Sequence, residues 1–111
     1  MFALISLLLD VRGMAPSRQI SPHHEACQGT VNSEVVISRE QLAQLLTVPE
    51  RDSKSRVHEI LNQPYCQLPA IQVRAGVVAE REVYPLAFDP QTRLVVLYEG
   101  EEYAGYRFSY Q

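Results

Sequence analysis

Residue types that bind zinc fall close together in one stretch of the chain. His23, His24 and Glu25 are followed after one residue by Cys27. A zinc site needs three or four ligands of fixed geometry, and the second ligand group usually comes from elsewhere in the chain. The remaining histidine and cysteine lie far along the chain and complete no zinc spacing. We therefore predict a solvated polar tail here, with no metal ion and no other cofactor.

The two cysteines, Cys27 and Cys66, are too few for the disulfide framework of a small secreted domain. Neither belongs to a Cys-x-x-Cys pair. We predict two free thiols in a reducing compartment, and hence a cytoplasmic protein. A single bridge between them is sterically allowed, although nothing in the sequence demands it.

Residues that could perform general acid–base catalysis occur in two places. His58 stands beside Glu59, but neighbours on a helix point about 100° apart and cannot form a dyad. Glu80 and Glu82 share one face of a predicted strand, and their neighbours give no sign of a buried pocket that would raise a pKa. We interpret this pair as a solvated edge. With no phosphate-binding loop, dinucleotide fingerprint, nucleophile elbow or zinc-protease motif, the sequence predicts no enzyme.

Tyrosine and acidic residues are concentrated in the last third of the chain. Residues 79–111 hold six acids and three arginines, and seven of the nine aromatic residues lie between Tyr84 and Tyr110. Tyrosine buries much area at a low entropic cost, so this composition predicts a protein-binding surface. The alternative is that the rings form the core of a small sheet, which we favour for Phe88 and Phe108. The candidate partner-binding residues are Tyr98, Glu101, Glu102, Tyr103, Tyr106, Arg107 and Tyr110.

These features predict a small adaptor or accessory module whose partner is another protein. The acids favour a basic partner. Only Gln111 follows the last strand, which is therefore expected at a sheet edge that adds a partner's strand or forms a homodimer. A net charge of −3 argues against nucleic-acid binding. The apolar run at residues 2–9 is too short to span a membrane.

Two short helices are predicted in the middle of the chain. Ser38 and Gln41 match a capping box, and the helix that they open ends before Pro49. A second helix is expected from about residue 54 to residue 62, capped by Asp52 or Ser53. Each helix is too short to be stable alone and must pack on a sheet.

The helical pair at residues 38–62 resembles the helix-turn-helix segments of bacterial regulators. Ala43, Val48 and the apolar residues of 57–61 occupy similar positions. This resemblance implies the alternative function of a DNA-binding transcriptional regulator, with Arg51, Lys54 and Arg56 as phosphate contacts. The turn is longer than the motif uses and has no glycine. We favour a packed helical hairpin with a mixed-charge surface.

The second half of the chain shows the period-two pattern of strands. Strands are expected at residues 70–77, 81–88, 93–98 and 102–110, and a short first strand at 34–37. Pro85 places its strand at an edge or at a bulge. Residues 89–92 are predicted to form a turn, and the all-apolar residues 94–97 to form a central strand buried on both faces.

The fold expected from these elements is α+β, with two short helices packed on a three- to four-stranded antiparallel meander. With 111 residues, the chain has room for one domain. We assign that domain to residues 31–111 and a flexible or weakly ordered segment to residues 1–30. Translation from Met14 is an alternative that would remove the apolar run.

Overall fold

The computed structural model describes residues 26–110. The apolar run at 2–9, the alternative start at Met14 and the paired histidines His23 and His24 lie outside this range. The described elements are α1 (Arg39–Leu45), α2 (Lys54–Leu61), β1 (Cys66–Arg74), β2 (Val77–Leu86), β3 (Asp89–Glu99) and β4 (Glu102–Tyr110). The strands form one antiparallel sheet in the order β1-β2-β3-β4. The predicted α+β class and the meander are confirmed.

Both helices begin where the sequence places them. The Ser38 hydroxyl accepts the Gln41 N–H at 3.1 Å, and the Gln41 side chain accepts the Ser38 N–H at 2.9 Å, which completes the predicted capping box. Ser53 caps α2 by accepting the Arg56 N–H. The predicted strand at 34–37 is wrong in extent, because Ile37 alone forms a bridge, parallel to Leu86.

The hairpin positions differ from the predicted ones. β1 starts at Cys66, its turn lies at Ala75 and Gly76, and β2 already starts at Val77. The next turn is formed by residues 87–88, so the predicted turn at 89–92 is wrong and those residues belong to β3. Pro85 lies in an internal strand at a register shift, which confirms the bulge and excludes the edge.

β3 is buried on both faces, as its apolar run predicts. Leu94, Val96 and Tyr98 face the helices and pack with Leu45 and Val57. The alternate residues of β3, Val95 and Leu97, pack on the opposite face with Cys66, Leu68, Ala79 and Val83. The sheet therefore has an inner face under the helices and an outer face.

A disulfide joins Cys27 to Cys66, and the prediction of two free thiols is wrong. Next to it, the Gln28 N–H donates to the Gln67 carbonyl, and the Asn32 N–H donates to the Tyr65 carbonyl. Segment 26–33 therefore lies along β1, and the described domain includes residues that the sequence assigned to the flexible segment. The pairing was missed because the two thiols are 39 residues apart, which leaves no local signal.

Candidate functional site

The predicted partner-binding tyrosines divide into buried and exposed groups. Tyr98 and Tyr103 are 0% and 2% exposed and belong to the inner core, so they cannot present a side chain to a partner. Burial raises the pKa of both phenols, that of Tyr103 to about 12. Tyr106 and Tyr110 are 43% and 59% exposed, and between them Phe108 is 38% exposed. The expectation that Phe108 and Phe88 lie in the core is wrong, because both are exposed.

The first half of the β4 edge is closed by the loop between the helices. The Arg51 N–H donates to the Tyr103 carbonyl, and the Tyr103 N–H donates to the Asp52 carbonyl, each at 2.8 Å. The Lys54 N–H donates to the Glu101 carbonyl at the same distance. Residues 51–54 thus act as a short neighbouring strand, which satisfies the backbone of residues 101–103.

The second half of that edge has no such neighbour among the described residues. In an antiparallel ladder, backbone groups point alternately to one side and the other. The Tyr65 N–H donates to the Val83 carbonyl, so the backbone N–H and C=O groups of Val83 point towards β1. The backbone groups of its two neighbours on β2 point towards β3. Because the alternation continues on β3, the backbone groups of Val95 point towards β4. Those of its partner Arg107 therefore point back towards β3. The N–H and C=O groups of Tyr106, Phe108 and Tyr110 therefore point away from the sheet.

The same three residues place their side chains on the inner face, beyond the reach of the helices. Their β3 partners are Val96, Leu94 and Thr92. The rings of Tyr106 and Phe108 meet edge to face with centroids 5.6 Å apart. We name this surface, formed by Tyr106, Phe108 and Tyr110, the aromatic edge. It combines exposed apolar area with outward-pointing backbone groups that pair with no other described residue.

A bulge separates the closed half of β4 from the aromatic edge. The register shifts between the pairs of Leu97 and Tyr98, and Gly105 has φ +124°, a conformation that L side chains rarely adopt. Beside the bulge lies a cavity of about 500 Å³. Glu50 and Arg107 line it, and neither forms an ion pair with another described residue.

The acids of the turn between β3 and β4, which include the predicted Glu101 and Glu102, are only partly free. Arg51 lies 3.0 Å from Glu99 and 3.4 Å from Glu102, and Arg74 also contacts Glu99. Hydrogen bonds from Arg74 and Arg51 lower the pKa of Glu99. Glu101 forms no ion pair with any residue that the structure describes. Because two of the three acids are neutralised by arginine, this turn is less negative than the sequence suggests.

A buried carboxylate is the polar feature that the sequence interpretation missed. Glu82 is 3% exposed, not solvated, and its Oε1 lies 2.8 Å from His58 Nε2 and accepts the Tyr84 hydroxyl at 3.3 Å. His58 is half-buried. Glu82, Tyr84 and Leu86 are alternate residues of one strand and therefore share its apolar face. This alternation was the signal that the sequence offered. Both contacts reach the same carboxylate oxygen, and the His58 contact ties α2 to β2.

The cations of the helix-turn-helix resemblance are engaged in ion pairs. Arg51 contacts Glu99 and Glu102, Lys54 contacts Glu80, and Arg56 contacts Asp52. A surface that binds DNA must offer its cations to phosphates. These ion pairs would have to open for phosphates to bind, and the DNA-binding alternative stays a prediction.

Neither of the two described helices combines the length and the hydropathy that crossing a membrane requires. Comparison of the chain with protein-family models, with curated proteins and with solved structures gives no match.

Proposed function

We propose that this protein is a non-enzymatic binding module that takes up an extended segment of another protein chain along the aromatic edge. The observation that carries the proposal is the half-closed β4 edge. Residues 51–54 satisfy the backbone at 101–103, whereas the outward groups of Tyr106, Phe108 and Tyr110 on the same edge bond to no backbone group of residues 26–110. Strand addition uses such groups for affinity and the neighbouring side chains for specificity.

The composition of the open half supports this use. Edge strands that must stay unpaired usually carry lysine, proline, inward-pointing charges or a bulge. Beyond the bulge at Gly105, residues 106–110 contain no lysine or proline, and their one charged side chain is Arg107. Three exposed aromatic rings on such an edge would favour aggregation unless a partner covers them.

The closed half determines where an added strand must stop. A strand that pairs with Tyr110, Phe108 and Tyr106 runs into residues 51–54 at the level of Tyr103. The cavity at the bulge lies at this boundary, with Glu50 and Arg107 on its wall. Arg107 is the candidate polar anchor, because its side chain lies on the outer face beside the edge.

Charge makes a smaller contribution than the sequence suggests. Glu99 and Glu102 are paired with arginine, which leaves Glu50 and Glu101 as the acids near this edge without an ion pair among the described residues. We therefore assign the affinity to main-chain pairing and aromatic contact, and a preference for basic partners to Glu50 and Glu101 alone.

The disulfide changes the expected location. The cytoplasmic expectation depended on free thiols, and disulfides form and persist mainly in oxidising compartments. The bond between Cys27 and Cys66 supports a protein that folds in such a compartment.

The test compares two substitutions of one residue. Phe108→Pro and Phe108→Ala both remove the ring, but only proline also removes the outward N–H, and neither loses a hydrogen bond to β3. Each variant and the parent chain are used to capture proteins from a native extract. We expect partners that bind the parent and Phe108→Ala but not Phe108→Pro. Equal capture by Phe108→Pro, confirmed as folded, would remove the aromatic edge as the binding site.

A further inference from the structure

We infer that the segment taken up by the aromatic edge is the same edge of a second copy, which joins two four-stranded sheets across a two-fold axis. This inference rests on the proposed function and names its partner. It follows from the antiparallel registers in which the aromatic edge can pair with the aromatic edge of a second copy.

Self-pairing must match outward-pointing groups with outward-pointing groups. The available residues are Tyr106, Phe108 and Tyr110, so the two-fold axis passes through one of them or between two of them. Five registers result: the axis at Tyr106, Arg107, Phe108, Ser109 or Tyr110. With the axis at Ser109 or Tyr110, no described residue lies opposite Tyr106, so at most two of the three aromatic residues pair, and three registers are left to compare.

The axis at Tyr106 is excluded by residues 51–54. In that register, Phe108 of the second copy lies opposite residue 104, and its following residues lie opposite Tyr103 and Glu102. The backbone of Tyr103 is already paired with Arg51 and Asp52 at 2.8 Å. The second copy would have to displace these hydrogen bonds.

The axis at Arg107 is disfavoured by charge. It places Arg107 directly opposite Arg107 of the second copy, in the closely spaced type of pair whose Cα atoms are about 4.5 Å apart. Like charges directly opposite one another destabilise a sheet. No described acid pairs with Arg107 to neutralise it.

The register with its axis at Phe108 neither displaces the hydrogen bonds of residues 51–54 nor places like charges opposite each other. Phe108 then pairs with Phe108 of the second copy, Tyr106 pairs with Tyr110, and Arg107 lies opposite Ser109. The paired segments stay clear of residues 101–103. The rings of Tyr106, Phe108 and Tyr110 form one continuous row on the inner face, where cross-strand aromatic pairs stabilise a sheet. The rings exposed in one copy thus contact those of the second copy across the two-fold axis.

Sedimentation velocity over a concentration series tests whether the dimer forms. We expect twice the 12.6 kDa monomer mass for the parent chain. Phe108→Pro should weaken the dimer by at least tenfold, and Phe108→Ala should do so by a smaller factor because it keeps the N–H. A parent chain that remains monomeric at high concentration would overturn the inference.

Single cysteines at neighbouring positions test the register, with the native disulfide left oxidised. Phe108→Cys lies on the axis, where paired Cα atoms are about 5.5 Å apart and a disulfide can form. Arg107→Cys would face its copy at about 8 Å and Tyr106→Cys at about 14 Å, both beyond disulfide reach. We expect cross-linking of Phe108→Cys alone. Preferential cross-linking of either control would overturn the register.

The two proposals fail separately. A monomeric parent chain that captures a different protein in a manner abolished by Phe108→Pro would refute the dimer and retain strand addition. A monomeric chain whose captured proteins are all indifferent to Phe108→Pro would refute both.

Discussion

The backbone N–H of Arg51 donates to the carbonyl oxygen of Tyr103 across 2.8 Å, which ties the loop between the helices to the edge of the sheet. Arg51 adopts φ +81° there, and its side chain contacts Glu99 and Glu102. The loop therefore closes one half of β4. Within the part of the chain that the structure describes, the fold thus covers this edge only in part, which makes the open half distinctive.

Removal of the disulfide should lower stability substantially. The bond closes a loop over a sequence separation of 39 residues, for which the chain-entropy model gives about 3 to 4 kcal/mol. We expect this loss for Cys66→Ala together with Cys27→Ala, measured by urea unfolding. The matched control is the parent chain under reducing conditions, which should behave like the double variant. Equal stability of the oxidised and reduced parent would contradict the assigned bond.

Loss of His58 should destabilise the fold although the residue is half-buried. Its Nε2 lies 2.8 Å from the buried Glu82 carboxylate, and removing one partner leaves a buried charge with fewer donors. Because the imidazole is partly exposed, we expect a loss of about 1 to 3 kcal/mol for His58→Ala. Glu59→Ala, an exposed neighbour on the same helix, should change little. Similar losses for the two variants would refute the role of the contact.

Two buried tyrosines should respond in opposite ways to loss of the hydroxyl. The Tyr84 hydroxyl lies 3.1 Å from the Asn62 carbonyl and donates to Glu82, whereas the Tyr98 hydroxyl has no partner among the described residues. We expect Tyr84→Phe to cost about 1 kcal/mol and Tyr98→Phe to be neutral or stabilising. Thermal or urea unfolding measures both. A larger loss for Tyr98→Phe would show that its hydroxyl has a partner.

The buried tyrosines should also make the fold sensitive to alkali. Burial raises the pKa of Tyr84, Tyr98 and Tyr103 above the ordinary value of 10.0. A folded pKa above the unfolded one gives stability that is complete below pH 10 and declines as the pH rises beyond it. We expect the urea concentration at the unfolding midpoint to decrease as the pH is raised above 10. Tyrosinate absorbance should increase as the structure is lost. Tyr98→Phe should reduce this slope. A pH-independent midpoint up to pH 11 would contradict the burial.

Local signals explain what could be predicted from the sequence. The capping box of Ser38 and Gln41 and the apolar run of β3 act within a few residues, so both were found at their positions. Period-two alternation located β4 and the side chains that share its faces. It could not decide their burial, because the helices cover Tyr103 but not Tyr106.

The features that were missed depend on distant parts of the chain. His58 and Glu82 are 24 residues apart, and they meet only when α2 packs on the sheet. The pairing of Arg51 with Tyr103 uses backbone groups that every residue except proline carries, so no residue type indicates it. The aromatic edge can be located only when the register of all four strands is known.

Residue-resolved amide hydrogen exchange tests the central claim most directly. In dilute protein, we expect the amides of Tyr106 and Phe108 to exchange fast and those of Arg107 and Ser109 to be protected by β3. On assembly at high concentration, the fast amides should slow by at least tenfold while Arg107 and Ser109 change little. Protection of Tyr106 and Phe108 in the dilute monomer, or fast exchange that persists at every concentration, would contradict the account.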